Sequence, residues 1–232
     1  MDVKKTLLQK ICDGSFALMT DEQIAKKLRL KGKAANGVRD LLRSLVREGE
    51  LYCDLNGRYG TAVQFGAIRG TISGNERGFG FFMPDDKEKP DLFIPHRALR
   101  GAYNKDTVLA FVKGGRMGDE GEVLAILERG YREIVGTFRR ERSGGMLHPD
   151  DKKFSDDIFI PSDRTKGAAD NVKAVARILS YEGRSPKGEI VEVLGESGDF
   201  FVEETAIIRA HNIKEVFPEE VIDAAEQQAE SI

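Results

Sequence analysis

Phe79, Phe81 and Phe93 are spaced so that they could act together. The first two lie two residues apart in the run RGFGFFMP, and Phe93 follows in DLFIP. Side chains alternate across a strand, so Phe79 and Phe81 share one face while Gly78, Gly80 and Phe82 share the other. If GFGFF pairs with DLFIP through the turn MPDDKEKP, Phe93 joins the first two rings on an outward face, and Phe82 points inward with Leu92 and Ile94. Flat rings at every second position of an exposed strand, with small residues between them, suit stacking against the bases of a single-stranded nucleic acid. Each stacked base contributes about 1–3 kcal/mol, and the ring does not choose its base. The plainer alternative is core or interdomain packing. It is the weaker reading, because Phe82, Leu92, Ile94 and Ile72 already supply a core.

Stacking of this kind works beside cations that meet the phosphates. Arg69, Arg77, Arg97, Arg100 and Lys113 are candidates by their closeness to the same strands. Other residue sets point to less. Asp85-Asp86, Asp150-Asp151 and Asp156-Asp157 resemble paired metal-binding carboxylates, yet they sit in turns, where aspartate is favoured for bonding its own backbone. His96, His148 and His211 show neither an H-x-H nor an H-E-x-x-H spacing. GFGFF is not a phosphate-binding glycine loop, since its glycines lie within a strand and no helix follows. Cys12 and Cys53 have no ligand-like spacing and read as reduced thiols. No catalytic residue, metal site or cofactor site is expected in this chain.

The elements that position these residues follow from pattern. In residues 4–30 the apolar positions recur at helical spacing, and Thr20 with Gln23 has the form of a capping box opening the helix TDEQIAKKLRL. A third helix covers about 34–49, with Arg39, Arg43 and Arg47 along one face. Then ELYCDL, an Asn56-Gly57 turn and RYGTAV predict a hairpin. Three short helices and a hairpin predict a winged helix-turn-helix over residues 1–66. From 67 to 130 the texture becomes short strands broken by Gly, Pro and Asp, which predicts a five-stranded OB-type barrel. The next stretch repeats it: Gly70-Thr71 matches Gly136-Thr137, Pro84-Asp85-Asp86 matches Pro149-Asp150-Asp151, Phe93-Ile94-Pro95 matches Phe159-Ile160-Pro161, and Gly121-Glu122 matches Gly188-Glu189. Every offset falls between 65 and 67 residues, so 131–200 is expected to be a second barrel of the same kind. Residues 201–232 read as an acidic helical connector, with one short helix near Ala206 and another opened by Pro218. The fold class is therefore α+β: a winged helix followed by two tandem OB barrels.

Charge and hydropathy set the outer limits. The net charge of −3 argues little against a polyanionic partner, because residues 215–232 hold six acids and no Lys or Arg, leaving 36 basic against 33 acidic residues before them. No apolar run approaches the ~20 residues needed to cross a bilayer, and no secretory signal is legible. A cytoplasmic location without membrane contact is expected.

RGFGFF followed by DLFIP resembles the paired ribonucleoprotein motifs of bacterial cold-shock domains, a K-G-F-G-F-I strand and a D-V-F-V-H strand. A winged helix, two such barrels and a FPEEV connector resemble the N-terminal arrangement of the ribonuclease II/RNB exoribonuclease family, over essentially all 232 residues. The order of domains is more specific than any one motif. There are departures. Pro95 stands where a cold-shock domain has histidine, with His96 one place later and expected to face away. In the second barrel Gly144, Gly145 and Met146 fall at the positions of Phe79, Gly80 and Phe81, leaving Phe159 and Met146 as the reduced platform. Arg139, Arg140 and Arg142 could meet phosphates there.

The resemblance implies RNA, single-stranded or structured, as partner, and a role in guiding single strands for a hydrolytic 3′-to-5′ exoribonuclease. In the family an RNB domain with Mg²⁺-binding aspartates follows the connector, and an S1 domain lies beyond. This chain is therefore expected to bind RNA and not to cut it. Mg²⁺ is implied only for the catalytic domain, and a protein partner would be that RNB domain or another RNA-processing protein. Two other readings stay open. One is a free-standing winged-helix regulator reading duplex DNA, with the barrels making protein contacts. The other is an assembly module whose acidic tail docks a partner.

Overall fold

The computed structural model describes residues 3–115, 118–183 and 185–211. It begins with α1 (Val3–Cys12), β1 (Met19–Thr20), α2 (Asp21–Lys27), α3 (Lys33–Arg47), β2 (Tyr52–Cys53), β3 (Arg58–Gly60) and α4 (Ala62–Phe65). The expected capping box is present: Gln23 N–H donates to Thr20 Oγ1 at 3.3 Å, and Thr20 N–H donates to Gln23 Oε1 at 2.9 Å. Helix α2 ends sooner than the periodicity predicts. Arg29 takes a φ of +56°, and Leu30 turns back so that its N–H meets Ala25 O at 2.9 Å. The hairpin forms, with Tyr52 opposite Gly60, and β1 adds to its other edge. Asp54 fixes the turn, its Oδ1 accepting from Asn56 and Arg58 N–H. RYGTAV does not stay extended. Thr61 forms a second capping box with Gln64, and the chain passes into α4.

The first barrel consists of β4 (Ile68–Gly74), β5 (Gly80–Pro84), β6 (Leu92–Ile94), a short α5 (His96–Leu99), β7 (Thr107–Gly115) and β8 (Gly118–Glu128). The strands close in the order β4-β5-β6-β8-β7, with β6 and β8 parallel. The second barrel repeats this with β9 (Glu133–Glu141), β10 (Gly144–Pro149), β11 (Ile158–Pro161), β12 (Val172–Ser180) and β13 (Lys187–Glu196), in the order β10-β11-β13-β12-β9. Register shifts between β7 and β8, and between β12 and β13, supply the coiling that closure requires. The repeat glycines mark close approaches. A Cβ on Gly70 would lie 2.3 Å from Met83 O, and one on Gly136 would lie 2.3 Å from His148 O.

Helix α6 (Phe200–Ala210) follows, starting earlier than the sequence suggests because Asp199 caps it through Phe201 and Val202 N–H. Ala206 packs on Val135 and Val175. The helix expected from Pro218 lies outside the described residues. By contacts the chain forms two compact units: one runs to Tyr131 and includes Lys152–Ser155, and the other holds the remainder. Among the described residues, no helix is long and apolar enough to cross a membrane.

Candidate nucleic-acid interface

The core of the first barrel is complete without the three rings. Ile72, Phe82, Leu92, Ile94, Val108, Ala110 and Val123 fill it, and Phe82 is 0% exposed. Alternation then sends the neighbours outward. Phe81 is 42% and Phe93 39% exposed, and they face each other across the β5–β6 ladder. Phe79 is half-buried beside them. Ring centroids are 5.9 Å apart for Phe79–Phe81, 5.5 Å for Phe79–Phe93 and 6.0 Å for Phe81–Phe93. The rings tilt against one another and leave an open aromatic shelf.

The opening of this strand differs from the sequence expectation. β5 begins at Gly80, so Gly78 and Phe79 precede it, and Gly78 takes a φ of +82° in a turn. Asn75 N–H donates to Phe79 O, and Gly78 N–H donates to Asn75 O, both at 2.9 Å. His96 does not face away as the sequence suggests; its Nδ1 lies 2.8 Å from Gly78 O. A carbonyl only accepts, so the ring proton sits on Nδ1 and Nε2 is left toward solvent. The histidine is a brace for the turn that carries Phe79.

The opposite side of this barrel shows what a packed outer aromatic looks like. Phe111 on β7 is buried against Phe65 of α4, with centroids 5.3 Å apart, and Leu124 completes the cluster. Below it Glu122, also fully buried, accepts from Leu55 N–H at 2.6 Å and from Lys113 Nζ at 3.0 Å. Arg100 donates to Cys53 O at 2.6 Å and lies 3.9 Å from Glu122. The hairpin and the β7–β8 face are thus joined by apolar and charged contacts, whereas β4–β6 stays open.

The candidate cations divide accordingly. Arg100 and Lys113 are spent on the Glu122 cluster and are not free rim charges. Arg69 is exposed on β4 but lies 3.4 Å from Asp85 and 3.8 Å from Glu128. Arg77, in the turn before Phe79, and Arg97, on α5, are exposed, and their guanidinium groups have no partner among the described residues.

In the second barrel Met146 stands opposite Phe159, as Phe81 stands opposite Phe93. Arg139 pairs with Met146 across β9–β10 and is exposed beside it. Arg140 points to the other face and donates to Ala168 O at 2.9 Å, so it braces a loop. Arg142 is exposed in the hairpin turn. Phe159 and Met146 are each half-buried.

The aspartate pairs do not converge. Asp86 Oδ1 accepts from Glu88 N–H, Asp150 pairs with Lys173, and Asp157 with His148. Among the described residues, no group of three or more His, Cys, Asp or Glu could hold a metal ion. Both cysteines are free, and burial pushes the Cys53 thiol above its ordinary pKa.

A chain with two closed barrels of one topology, the first bearing an open aromatic shelf, is a tandem cold-shock/OB protein of the RNB type. Residues 70–126 match the Ribonuclease B OB domain, and residues 147–218 match the Cold shock domain. The particular relative is ribonuclease R, and the chain corresponds to the N-terminal region of that protein. It is 32% identical to ribonuclease R of Thermotoga maritima over 96% of this chain and 32% of the relative. Against Acidithiobacillus ferrooxidans ribonuclease R the figures are 28%, 99% and 54%, and against that of Escherichia coli 30%, 89% and 26%. The chain thus spans between about a quarter and a half of these relatives. Among solved structures, apo Mycoplasma genitalium RNase R has a TM-score of 0.58 at 20% identity, covering 71% of this chain and 27% of that one. The same enzyme with ribose-methylated single-stranded RNA has a TM-score of 0.57 at 20% identity, again covering 71% and 27%. Yeast Ssd1, a pseudonuclease, has a TM-score of 0.53 at 18% identity, covering 73% and 26%. These structural likenesses carry the shared fold.

Proposed function

We propose that this chain binds single-stranded RNA on the outward β4–β6 face of its first barrel, as the strand-guiding N-terminal part of a ribonuclease R-like 3′-to-5′ exoribonuclease. The observation that carries the reading is the contrast within one barrel. Phe111 on the β7–β8 side is buried, while Phe79, Phe81 and Phe93 form an open shelf on a barrel that needs none of them for its core. The relatives support RNA as the ligand, since the Mycoplasma genitalium enzyme is solved with a single strand bound.

In this reading Phe79, Phe81 and Phe93 stack successive bases, and Arg77 and Arg97 meet phosphates. Arg139, Arg142 and Phe159 of the second barrel give a weaker continuation. Arg69, Arg100, Lys113 and Arg140 contribute less, because each already has an intramolecular partner. Domain limits at 1–66, 67–130, 131–200 and 201–232 go with this reading, the first being a winged helix-turn-helix. The location is cytoplasmic. Hydrolysis belongs to an RNB domain, and Mg²⁺ belongs with it, since the carboxylates described here do not gather into a metal site. Regulation through duplex DNA draws no support from the third helix: Arg39, one of its three aligned arginines, is hydrogen-bonded to Asp21.

Fluorescence anisotropy of a labelled single-stranded RNA tests the proposal, comparing wild type with Phe79→Ala/Phe81→Ala at two salt concentrations. The double variant is expected to lose about 2 kcal/mol or more of binding free energy. Affinity unchanged by the substitutions, and falling only with salt, would mean that phosphates dominate and the rings are packing.

A further inference from the structure

The charge of the first helical region is concentrated in one place. Residues 23–39 hold Lys26, Lys27, Arg29, Lys31, Lys33 and Arg39 and not one acid, in a chain whose net charge is −3. Two of these cations are engaged: Lys27 donates to Ser15 O at 2.8 Å, and Arg39 is bonded to Asp21. The other four, Lys26, Arg29, Lys31 and Lys33, are exposed, and their side chains have no partner among the described residues.

Their backbone is held rigidly. Arg29 N–H meets Lys26 O at 3.0 Å, and Leu30, drawn into the core of this region, places Arg29 and Lys31 on either side of it. Lys26, Arg29 and Lys31 border an open groove between α2 and α3, together with Glu22, Ala25, Leu30 and Ala35. The small residues Ala25 and Ala35 leave its floor shallow. At its end α3 starts on Gly32 without a side-chain cap or an acid in its first turn. Its first N–H groups therefore face the same solvent as the lysines. Leu28 is the one large apolar side chain exposed in this stretch, at 36%, so no hydrophobic anchor for a lipid surface accompanies the charge.

We infer that Lys26, Arg29, Lys31 and Lys33 form a second nucleic-acid contact, which holds the backbone phosphates of an RNA duplex without reading its sequence. The chemistry differs from that of the aromatic shelf. Stacking needs unpaired bases, whereas these four cations offer only charge and hydrogen-bond donors, which a paired strand satisfies equally well. A convex turn between two helices, with a wide shallow groove behind it, meets a phosphate ridge more readily than an extended single strand. The choice of RNA over DNA rests on the function proposed above; the duplex phosphate contact itself does not.

The test uses the full chain with all four residues changed to Gln, a blunt RNA duplex, a DNA duplex of equal length and a single-stranded RNA. Anisotropy is followed across a salt series. Affinity for the RNA duplex is expected to fall at least tenfold. Its salt dependence is expected to become shallower by about 0.9 in log–log slope for each phosphate that the variant no longer neutralises. Single-strand affinity is expected to stay within twofold. A companion chain with Lys26→Arg/Lys31→Arg/Lys33→Arg retains duplex binding if charge is what matters. An unchanged duplex affinity and slope in the Gln variant would overturn the inference, and an equal or larger loss on the DNA duplex would overturn the assignment to RNA. Phe79→Ala/Phe81→Ala, measured on the same three ligands, isolates the shelf: failure of that variant to weaken single-strand binding sinks the shelf alone.

Discussion

Phe81 and Phe82 are neighbours in the chain with opposite fates, and their difference gives a sharp expectation at the residue scale. Phe82 is fully buried among Ile72, Leu92 and Ile94, so Phe82→Ala removes a large core side chain and is expected to destabilise the protein by about 3–5 kcal/mol in urea unfolding. Phe81→Ala acts on an exposed ring and is expected to shift stability by about 1 kcal/mol or less, with its effect appearing in RNA affinity instead. His96 makes a finer case. Its Nδ1–H braces the Gly78 turn that delivers Phe79, so His96→Ala is expected to weaken single-strand binding by a few-fold without removing any stacking ring. Equal affinities for His96→Ala and wild type in the anisotropy assay would show that the turn holds Phe79 in place unaided.

At the scale of elements, two buried ionic clusters fasten helices and hairpins to the barrels. Glu122 gathers Leu55 N–H, Lys113 and Arg100, so Glu122→Ala leaves a buried donor and two cations without their anion. The expected cost is about 3 kcal/mol, measured by urea unfolding. Lys173 of β12 is nearly buried, and its Nζ reaches Asp150 at 2.7 Å and Glu203 of α6 at 3.3 Å. Burial works against its ammonium, but the two carboxylates prevail and raise its pKa above the ordinary 10.5. Glu203 is held below its ordinary 4.5, first by the Gly198 N–H and then by Lys173. A lowered carboxylate stabilises above its unfolded pKa and loses that contribution as pH falls through the folded value. A raised lysine stabilises below its unfolded pKa and loses that contribution as pH rises through the folded value. The docking of α6 is therefore expected to be strongest between 4.5 and 10.5 and to weaken below 4.5. Hydrogen exchange in α6, compared between wild type and Lys173→Met across that range, reads this directly. A variant with the same pH dependence as wild type would remove Lys173 from the account.

The whole molecule carries two differently built surfaces, and salt separates them. On the shelf only Arg77 and Arg97 are cations without an internal partner among the described residues, so single-strand binding there leans on stacking. With about 0.7 per phosphate on single strands, two contacts give a log–log salt slope of about −1.4. Duplex binding at the α2–α3 turn has four such cations and is expected to be steeper. A single-strand slope as steep as the duplex slope would mean that both ligands use the same charges. The net charge of −3 predicts neither behaviour, because the field at each surface is set by local cations.

The strands, the Thr20 capping box, the Asn56-Gly57 hairpin and the doubling of the barrel were legible in sequence order. So was the division of Phe79, Phe81 and Phe93 from Phe82. All of these depend on neighbours a few residues away: two-residue alternation, a side chain reaching three positions along, glycines where strands approach closely. The destinations of the cations were not legible. Arg100 bonds a carbonyl 47 residues distant, Lys113 a carboxylate on the adjoining strand, and Arg140 a loop 28 residues on. The turn at Arg29 that leaves four charges unpartnered also depends on Leu30 finding the core. An exposed and an engaged arginine look alike in sequence, because a long charged side chain is satisfied by whatever the fold brings within reach. Local pattern determined which faces exist, and only tertiary packing decided which charges on them remain free.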